Sequence, residues 1–245
     1  TSNVLLVGAL FCVLMLLVLS SMLHSGIPGV RAWGMANLLG AVALALYSGG
    51  QVLPPLIGYE LANGVYAAAS AAVLVGYRRF FGLRVSWEAL GASVVLVMTA
   101  IALFHYRYDS FALRTITVGM FQAAMCVGII ATVLQMRARW RSRYPYYFAI
   151  AMAGSVALGH TVRGIIYLMR DNEITSLLQP SGWNLFFVSA GTFVLPVLSI
   201  GAVMMVHDAL MARAEHAANR DFLTGAWSRR AFVELAEREL ARARR

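Results

Sequence analysis

Residues 183–206 read WNLFFVSAGTFVLPVLSIGAVMMV, and these 24 residues include no charged side chain. About 20 apolar residues in a helix are enough to cross the ~30 Å hydrocarbon core of a bilayer. The rest of the chain has the same character, because 60% of its 245 residues are hydrophobic and 13% are charged. The apolar fraction of soluble domains is nearer ~45–50%. The composition therefore predicts an integral membrane protein and excludes a soluble globular domain.

Six more apolar runs of similar length precede this stretch, and short segments rich in turn-forming residues separate them. Two examples are Gly26-Ile27-Pro28-Gly29 and Gly49-Gly50. Connections this short place consecutive helices antiparallel. We therefore expect an all-α, polytopic membrane protein with seven transmembrane helices. The predicted spans are 4–23, 32–50, 55–77, 86–105, 112–136, 146–169 and 183–206.

The placement of arginine predicts the direction of these spans. The connections after spans one, three and five hold eight arginines, whereas the opposite connections hold only Arg107, Arg114 and Arg170. Cytoplasmic loops of membrane proteins carry an excess of basic residues. We therefore expect the N-terminus outside and the C-terminus in the cytoplasm. The abundance of Ala, Gly and Arg is typical of a GC-rich bacterial genome, which indicates the inner (cytoplasmic) membrane of a bacterium.

The charge and the cysteines exclude several function classes. The formal charge of +9 lies mostly beside apolar segments, which favours membrane lipids over nucleic acid as its partner. All 20 basic residues are arginine, and the absence of lysine excludes a retinal Schiff base and a Walker-A nucleotide site. Cys12 and Cys126 fall inside apolar runs, so we expect buried hydrophobic side chains rather than a disulfide or a metal pair.

The seventh helix is predicted to continue into the cytoplasm, because no helix breaker follows Pro196 before Asp221. Residues 207–220 would then form a signalling helix. Apolar residues along it are spaced 3, 4, 4 and 3, as in a weak coiled-coil seam, which favours a parallel homodimer. The alternative is an amphipathic helix that lies on the membrane surface. The seam residues are Val203, Val206, Leu210, Ala214 and Ala217.

The next twelve residues, 221–232, read DFLTGAWSRRAF. Gly225 can end a helix and Ser228 can cap a new one that begins at Arg229. This stretch resembles the opening of the diguanylate cyclase (GGDEF) family, and 221–245 is similar to the start of that domain. The matching residues are Asp221, Leu223, Thr224, Gly225, Arg229, Arg230 and Phe232.

The resemblance implies a parent protein that condenses two GTP molecules into cyclic di-GMP with Mg²⁺. The family's catalytic signature is missing, since the only Gly-Gly pair, Gly49-Gly50, precedes Gln51 in a membrane-flanking turn. We therefore expect no catalytic residue, metal ligand or cofactor in the chain itself, and no cyclase activity from it alone. The membrane part, residues 1–206, also looks like the seven-helix sensory modules that precede many such cyclases, over residues 30–82. That likeness rests on Trp33, Asn37, Pro54-Pro55, Asn63 and Arg78-Arg79-Phe80-Phe81-Gly82.

Polar residues inside membrane spans are costly and therefore mark candidate sites. Most of them fall in the outer half of the predicted bundle, which predicts a polar cavity open to the periplasm. The candidates are Glu60, Asn63, Gln122, His160, Arg163, Tyr167, Trp183 and Asn184.

Arg163 is the strongest of these candidates, and three roles are open to it. It can form an ion pair with Glu60, snorkel to the outer surface, or bind an anionic group of a small ligand together with His160. In the third case, Tyr167 and Trp183 would shape the pocket. A haem held by His105 and His160 is a further alternative to ordinary hydrogen-bonded histidines.

These observations predict a sensory and dimerising membrane module that controls a cytoplasmic diguanylate cyclase. Binding from outside would bias two states of the bundle, and movement of span seven would carry the change inward. A transporter or channel is an alternative, although it needs polar groups across the whole bilayer. A purely structural anchor is another, and it needs no cavity.

Overall fold

The structure is a computed structural model that describes residues 2–169, 176–179, 182–220, 224 and 226–243. All regular secondary structure in these residues is helical. The α-helices are α1 (Ser2–Ser21), α2 (Val30–Ser48), α3 (Ala62–Phe80), α4 (Trp87–Tyr106), α5 (Phe111–Gln135), α6 (Tyr144–Met169), α7 (Gly182–Thr192), α8 (Val194–Ala218) and α9 (Arg229–Ala243). A π-helical turn, Leu56–Leu61, leads directly into α3.

Six helical segments in the described part of the chain are long and apolar enough to cross a membrane. They are α1, α2, α4, α5, α6 and the α7–α8 pair. The third predicted span, 55–77, is helical as well, but the last turn of its helix α3 holds Arg78 and Arg79. The prediction of an all-helical membrane protein is therefore confirmed. The total of seven spans and their orientation remain predictions.

Helix α3 lies at the centre of the bundle, where small residues let its neighbours approach closely. At Gly76 a methyl group would overlap the indole of Trp33 on α2. That indole meets the ring of Tyr77 edge-on, with centroids 5.3 Å apart. The Tyr77 hydroxyl then donates a hydrogen bond of 3.1 Å to the carbonyl of Leu198 on α8. Aromatic packing and one buried hydrogen bond thus join α2, α3 and α8.

The seventh predicted span is broken at Phe193, between α7 and α8. Pro196 has no backbone N–H, so it cannot donate to the carbonyl of Thr192 as an ordinary helical residue would. The Tyr66 hydroxyl on α3 donates a 2.9 Å hydrogen bond to the carbonyl of Gly191, just before the break. Beyond it, α8 runs without interruption to Ala218. The helix that connects the membrane bundle to the C-terminal segment is therefore interrupted at one point, next to a proline.

The bundle has two distinct ends. One end, here called the mouth end, has a wide opening lined by residues from the α2–α3, α4–α5 and α6–α7 connections. The other end, here called the tail end, has a cleft between the α1–α2 and α3–α4 connections, and α8 extends past them. Two arginines hold that extension to the bundle: Arg141 contacts Glu215 and the carbonyl of Asp208, and Arg213 donates to the carbonyl of Ser25 at 2.7 Å.

The structure narrows the predicted coiled-coil seam on α8. Val206 is fully buried in the core of this chain, and Val203 and Leu210 pack against the same core. Ala214 and Ala217 are exposed. Helix α8 also crosses the predicted boundary at 206/207 without a break, so the end of the seventh predicted span and the predicted signalling helix belong to one continuous helix. Only the part of the seam beyond Leu210 is open to a partner, and the homodimer remains a prediction.

The start of the cyclase-like motif falls partly on undescribed positions, since Asp221, Leu223 and Gly225 lie outside the described residues. The restart of the helix is described. The Ser228 hydroxyl accepts a hydrogen bond from the amide of Ala231 at 3.3 Å, so the predicted cap is confirmed. On α9, Phe232 is exposed.

Candidate functional site

Two adjoining chambers enter the bundle from the mouth end. The outer one, here called the vestibule, has a volume of about 610 Å³. The deeper one, the inner cavity, has a volume of about 80 Å³, which is room for several water molecules at ~10–15 Å³ each. The two chambers share four lining residues and therefore adjoin each other. These are Tyr47, Tyr59, Phe111 and Leu177.

Arg163 and His160 line the inner cavity from α6. Helix α6 lies close to α5 because Gly119 has no side chain, and a methyl there would come within 3.3 Å of the His160 carbonyl. The guanidinium of Arg163 lies 5.0 Å from the centre of the Tyr167 ring, in cation–π geometry. Its Nε is buried and has no hydrogen-bond partner. Arg163 thus brings a positive charge and one unpaired N–H donor to the cavity wall.

Glu60 is not the partner of Arg163. Its carboxylate contacts Nδ1 of His105 on α4, and Arg163 forms no ion pair within the described part of the chain. Glu60 belongs to the π-helical turn before α3, where the wider repeat changes which side chains face each neighbour. Spacing based on an ordinary α-helix does not predict this arrangement. The expected Glu60–Arg163 ion pair is therefore absent from the described contacts.

The other predicted residues divide between the cavity wall and its support. Asn63 lines the inner cavity, and its amide donates to the Tyr59 carbonyl at 2.8 Å. Tyr167 is buried and its hydroxyl donates to Oδ1 of Asn184 at 2.7 Å. The Asn184 amide in turn donates to the carbonyl of Leu177 at 2.7 Å. Tyr167 and Asn184 therefore fix Leu177, which borders both chambers, and do not line either chamber themselves.

Gln122 and Trp183 lie away from both chambers. Gln122 is buried on α5, and its Nε2 has no hydrogen-bond partner within the described residues. Trp183 is about half exposed at the start of α7, where it stacks on Phe187 with ring centroids 6.3 Å apart. Their positions along the spans predict that Gln122 and Trp183 belong to the site, but a position along a span does not determine the direction of the side chain.

Arg114 is the site residue that the sequence did not single out. The arginine pattern assigns it to a connection between spans, yet it is only 7% exposed and lines the vestibule. Its guanidinium lies 5.1 Å from the Tyr59 ring and 5.6 Å from the Phe111 ring, and its Nε has no hydrogen-bond partner. The available signal was Ser110, whose hydroxyl accepts from the Leu113 amide and so begins α5 before Arg114.

The charges around the two chambers are unbalanced. The described lining of the inner cavity includes Arg163 and no carboxylate. In the vestibule, the carboxylate of Asp109 lies 3.8 Å from the Arg114 guanidinium, but its side chain is 89% exposed. A carboxylate this exposed is well screened by water and contributes little. Among the described lining residues, Arg163 of the inner cavity therefore has no carboxylate beside it, and its charge favours an anion there.

The inner cavity ends on the broken seventh span. Three of its lining residues belong to the last two turns of α7, immediately before the break at Phe193. Anything that binds there touches the segment that leads into α8. The three residues are Val188, Gly191 and Thr192.

No protein-family model, no curated protein and no solved structure matches this chain. The residues that point to a function are therefore those of the two chambers and those of the motif at 221–232. Within the described residues, no group of three or more His, Cys, Asp or Glu side chains is placed to hold a metal ion.

Proposed function

We propose that this chain is the membrane-embedded sensory module of a bacterial diguanylate cyclase. It has seven spans in the inner membrane, with the mouth end facing the periplasm and the tail end facing the cytoplasm. The uneven distribution of arginine between the connections supports this direction. The motif at 221–232 supports the identity of the controlled domain. That domain, and not the two chambers, would bind GTP and Mg²⁺.

The observation that carries the proposal is the position of the inner cavity against the break in span seven. A ligand that contacts Gly191 or Thr192 more strongly in one state of the bundle shifts the population toward that state. The change reaches α8 across the break at Phe193. From His207 to Ala218, α8 extends ~18 Å beyond the predicted membrane exit at ~1.5 Å per residue. A small rotation at the break would therefore displace that extension and the cyclase domain that follows it.

Contacts at the tail end indicate how the two conformations of the bundle would differ. In this structure, Arg141 and Arg213 hold the extension of α8 against the connections of its own chain. Release of these contacts would free the exposed face with Ala214 and Ala217 to pair with a second copy. Such pairing would bring two cyclase domains together, as the condensation of two GTP molecules requires.

A transporter or channel fits the structure less well. In the tail half, Asn37 donates to the hydroxyl of Ser199 at 2.7 Å, and both side chains are buried between α2 and α8. Neither residue lines the vestibule or the inner cavity. The polar path described here stops partway through the bundle. A purely structural anchor, for its part, has no use for a cavity that contains an unpaired arginine.

The test is production of cyclic di-GMP by the protein of the complete reading frame. We expect that protein to raise cyclic di-GMP in membranes, and we expect Arg163→Gln to change the amount several-fold at equal protein level. Arg107→Gln is the matched control, because Arg107 is exposed at the same end and lines neither chamber. Failure to form cyclic di-GMP, or equal output from the wild type and Arg163→Gln, would overturn the proposal.

A further inference from the structure

Two arginines lie along one path from the mouth end. Arg114 lines the vestibule and Arg163 lines the inner cavity, and Tyr59 borders both chambers. The first guanidinium packs on the Tyr59 ring and the second on the Tyr167 ring. Each arginine is therefore held by an aromatic face, which leaves the polar edge of the guanidinium for a ligand.

Neither arginine is neutralised by the described part of the chain. Arg114 pairs with the exposed Asp109 at 3.8 Å, and Arg163 has no ion pair among the described residues. The Oε1 atom of Glu60 contacts His105, and its Oε2 atom is buried without a hydrogen-bond partner among the described residues. The Nε atoms of Arg114 and Arg163 are both buried without an acceptor. Since buried donors and charges are costly when unsatisfied, this site is built for acceptors that come from outside the chain.

The number of unsatisfied cations indicates the charge of the ligand. A monocarboxylate can bind only one of the two guanidinium groups at a time. A single phosphate carries enough charge, but one compact group does not occupy two chambers at once. Two carboxylates joined by a short carbon chain can bind both guanidinium groups and reach into both chambers. Each carboxylate can form a bidentate contact with the planar guanidinium.

We propose that the ligand of this site is a small dicarboxylic acid. One carboxylate binds Arg114 in the vestibule, the other binds Arg163 in the inner cavity, and the carbon chain passes Tyr59 and Phe111. The inner cavity of about 80 Å³ accepts only one end of such a molecule, and the vestibule of about 610 Å³ holds the remainder. This inference deepens the proposed function by naming the class of the stimulus, but the binding itself does not require a cyclase.

The test is direct binding to the purified chain in lipid nanodiscs, measured by calorimetry. The probes are the series succinate, glutarate, adipate and pimelate, with the monocarboxylate of equal chain length for each and inorganic phosphate. We expect at least one dicarboxylate to bind ~10-fold or more tightly than its monocarboxylate partner. Equal affinity within every pair, tighter binding of phosphate than of any dicarboxylate, or no binding at all would overturn the proposal.

Variants show whether both arginines take part. Arg114→Gln and Arg163→Gln should each reduce the affinity for the dicarboxylate to that of the monocarboxylate, and Arg107→Gln should leave it unchanged. Arg114→Lys and Arg163→Lys keep the charge and should retain a preference for the dicarboxylate, which separates loss of binding from loss of folding. Unchanged affinity in either Gln variant contradicts the inference.

The two proposals fail in different ways. Dicarboxylate binding without any effect on cyclic di-GMP would reject the proposed function and leave the inferred ligand class intact. A cyclic di-GMP output that depends on Arg163, from a chain that binds no dicarboxylate, would reject the ligand class alone.

Discussion

Replacing Arg163 with leucine should stabilise the protein by about 1 kcal/mol. An arginine at the centre of a membrane helix costs ~2.5–3.5 kcal/mol on insertion scales. Arg163 lies six residues before the end of α6 at Met169, or ~9 Å at ~1.5 Å per residue, so water and the interface lower that cost. The cation–π contact with Tyr167 at 5.0 Å offsets a further ~0.5–1 kcal/mol. A net gain of about 1 kcal/mol remains for leucine.

An ion pair between Arg163 and Glu60 would give the opposite sign. Removal of one partner of a buried ion pair costs ~3–5 kcal/mol, because the other charge is left uncompensated. The described contacts pair Glu60 with His105 instead. Glu60→Gln should therefore destabilise the protein by ~1–3 kcal/mol, while Arg163→Leu should not.

The assay is reversible unfolding in mixed micelles, with the free energy of unfolding measured for the wild type and each variant. Arg107→Leu is the matched control, and as an exposed substitution it should stay within ~0.5 kcal/mol of the wild type. A loss of more than ~2 kcal/mol in Arg163→Leu would refute the reasoning, since only a satisfied, structural arginine would produce it.

Three further predictions concern the helices around the site, each checked by the same unfolding assay. Tyr66→Phe removes the 2.9 Å hydrogen bond to the Gly191 carbonyl, so we expect a loss of ~1 kcal/mol; unchanged stability would mean that the break needs no support from α3. Gly76→Ala places a methyl against the Trp33 indole and should cost ~1–3 kcal/mol, whereas wild-type stability would show that α2 and α3 lie farther apart. Asn184→Ala leaves the loop carbonyls without their donor and should cost ~1–3 kcal/mol, and a neutral result would contradict the supporting role given to this side chain.

The membrane character of the chain could be predicted from the sequence because it depends on local properties. Long apolar runs and short connections identify helices without knowledge of their neighbours. The cap at Ser228 could be predicted for the same reason, since a capping hydroxyl acts within one turn. The position of Arg163 and His160 on one face also followed from their spacing of three, and both line the inner cavity.

The contacts between helices could not be predicted in the same way. The pairing of Glu60 with His105 depends on the π-helical turn, which has no clear signature in the sequence. Arg114 looked like a loop residue, although the Ser110 cap places it in the first turn of α5. Val206 fitted a dimer seam by spacing alone, yet it is buried in the core of its own chain. In each case, the deciding information is which neighbour a face meets.

The central claim is that the inner cavity is open to the outside and attracts anions. Its most direct test measures the accessibility of the cavity and its preference for charge in one experiment. Thr115 lines that cavity and is buried, and the native Cys12 and Cys126 are buried too, so Thr115→Cys would provide a single reporting thiol. In spheroplasts, its reaction rate is compared for the anionic and cationic methanethiosulfonates that do not cross membranes. We expect reaction from the outside, faster with the anionic reagent, and loss of this preference when Arg163→Gln is added. No reaction from the outside, or a faster reaction with the cationic reagent, would contradict an outward-open cavity built to attract anions.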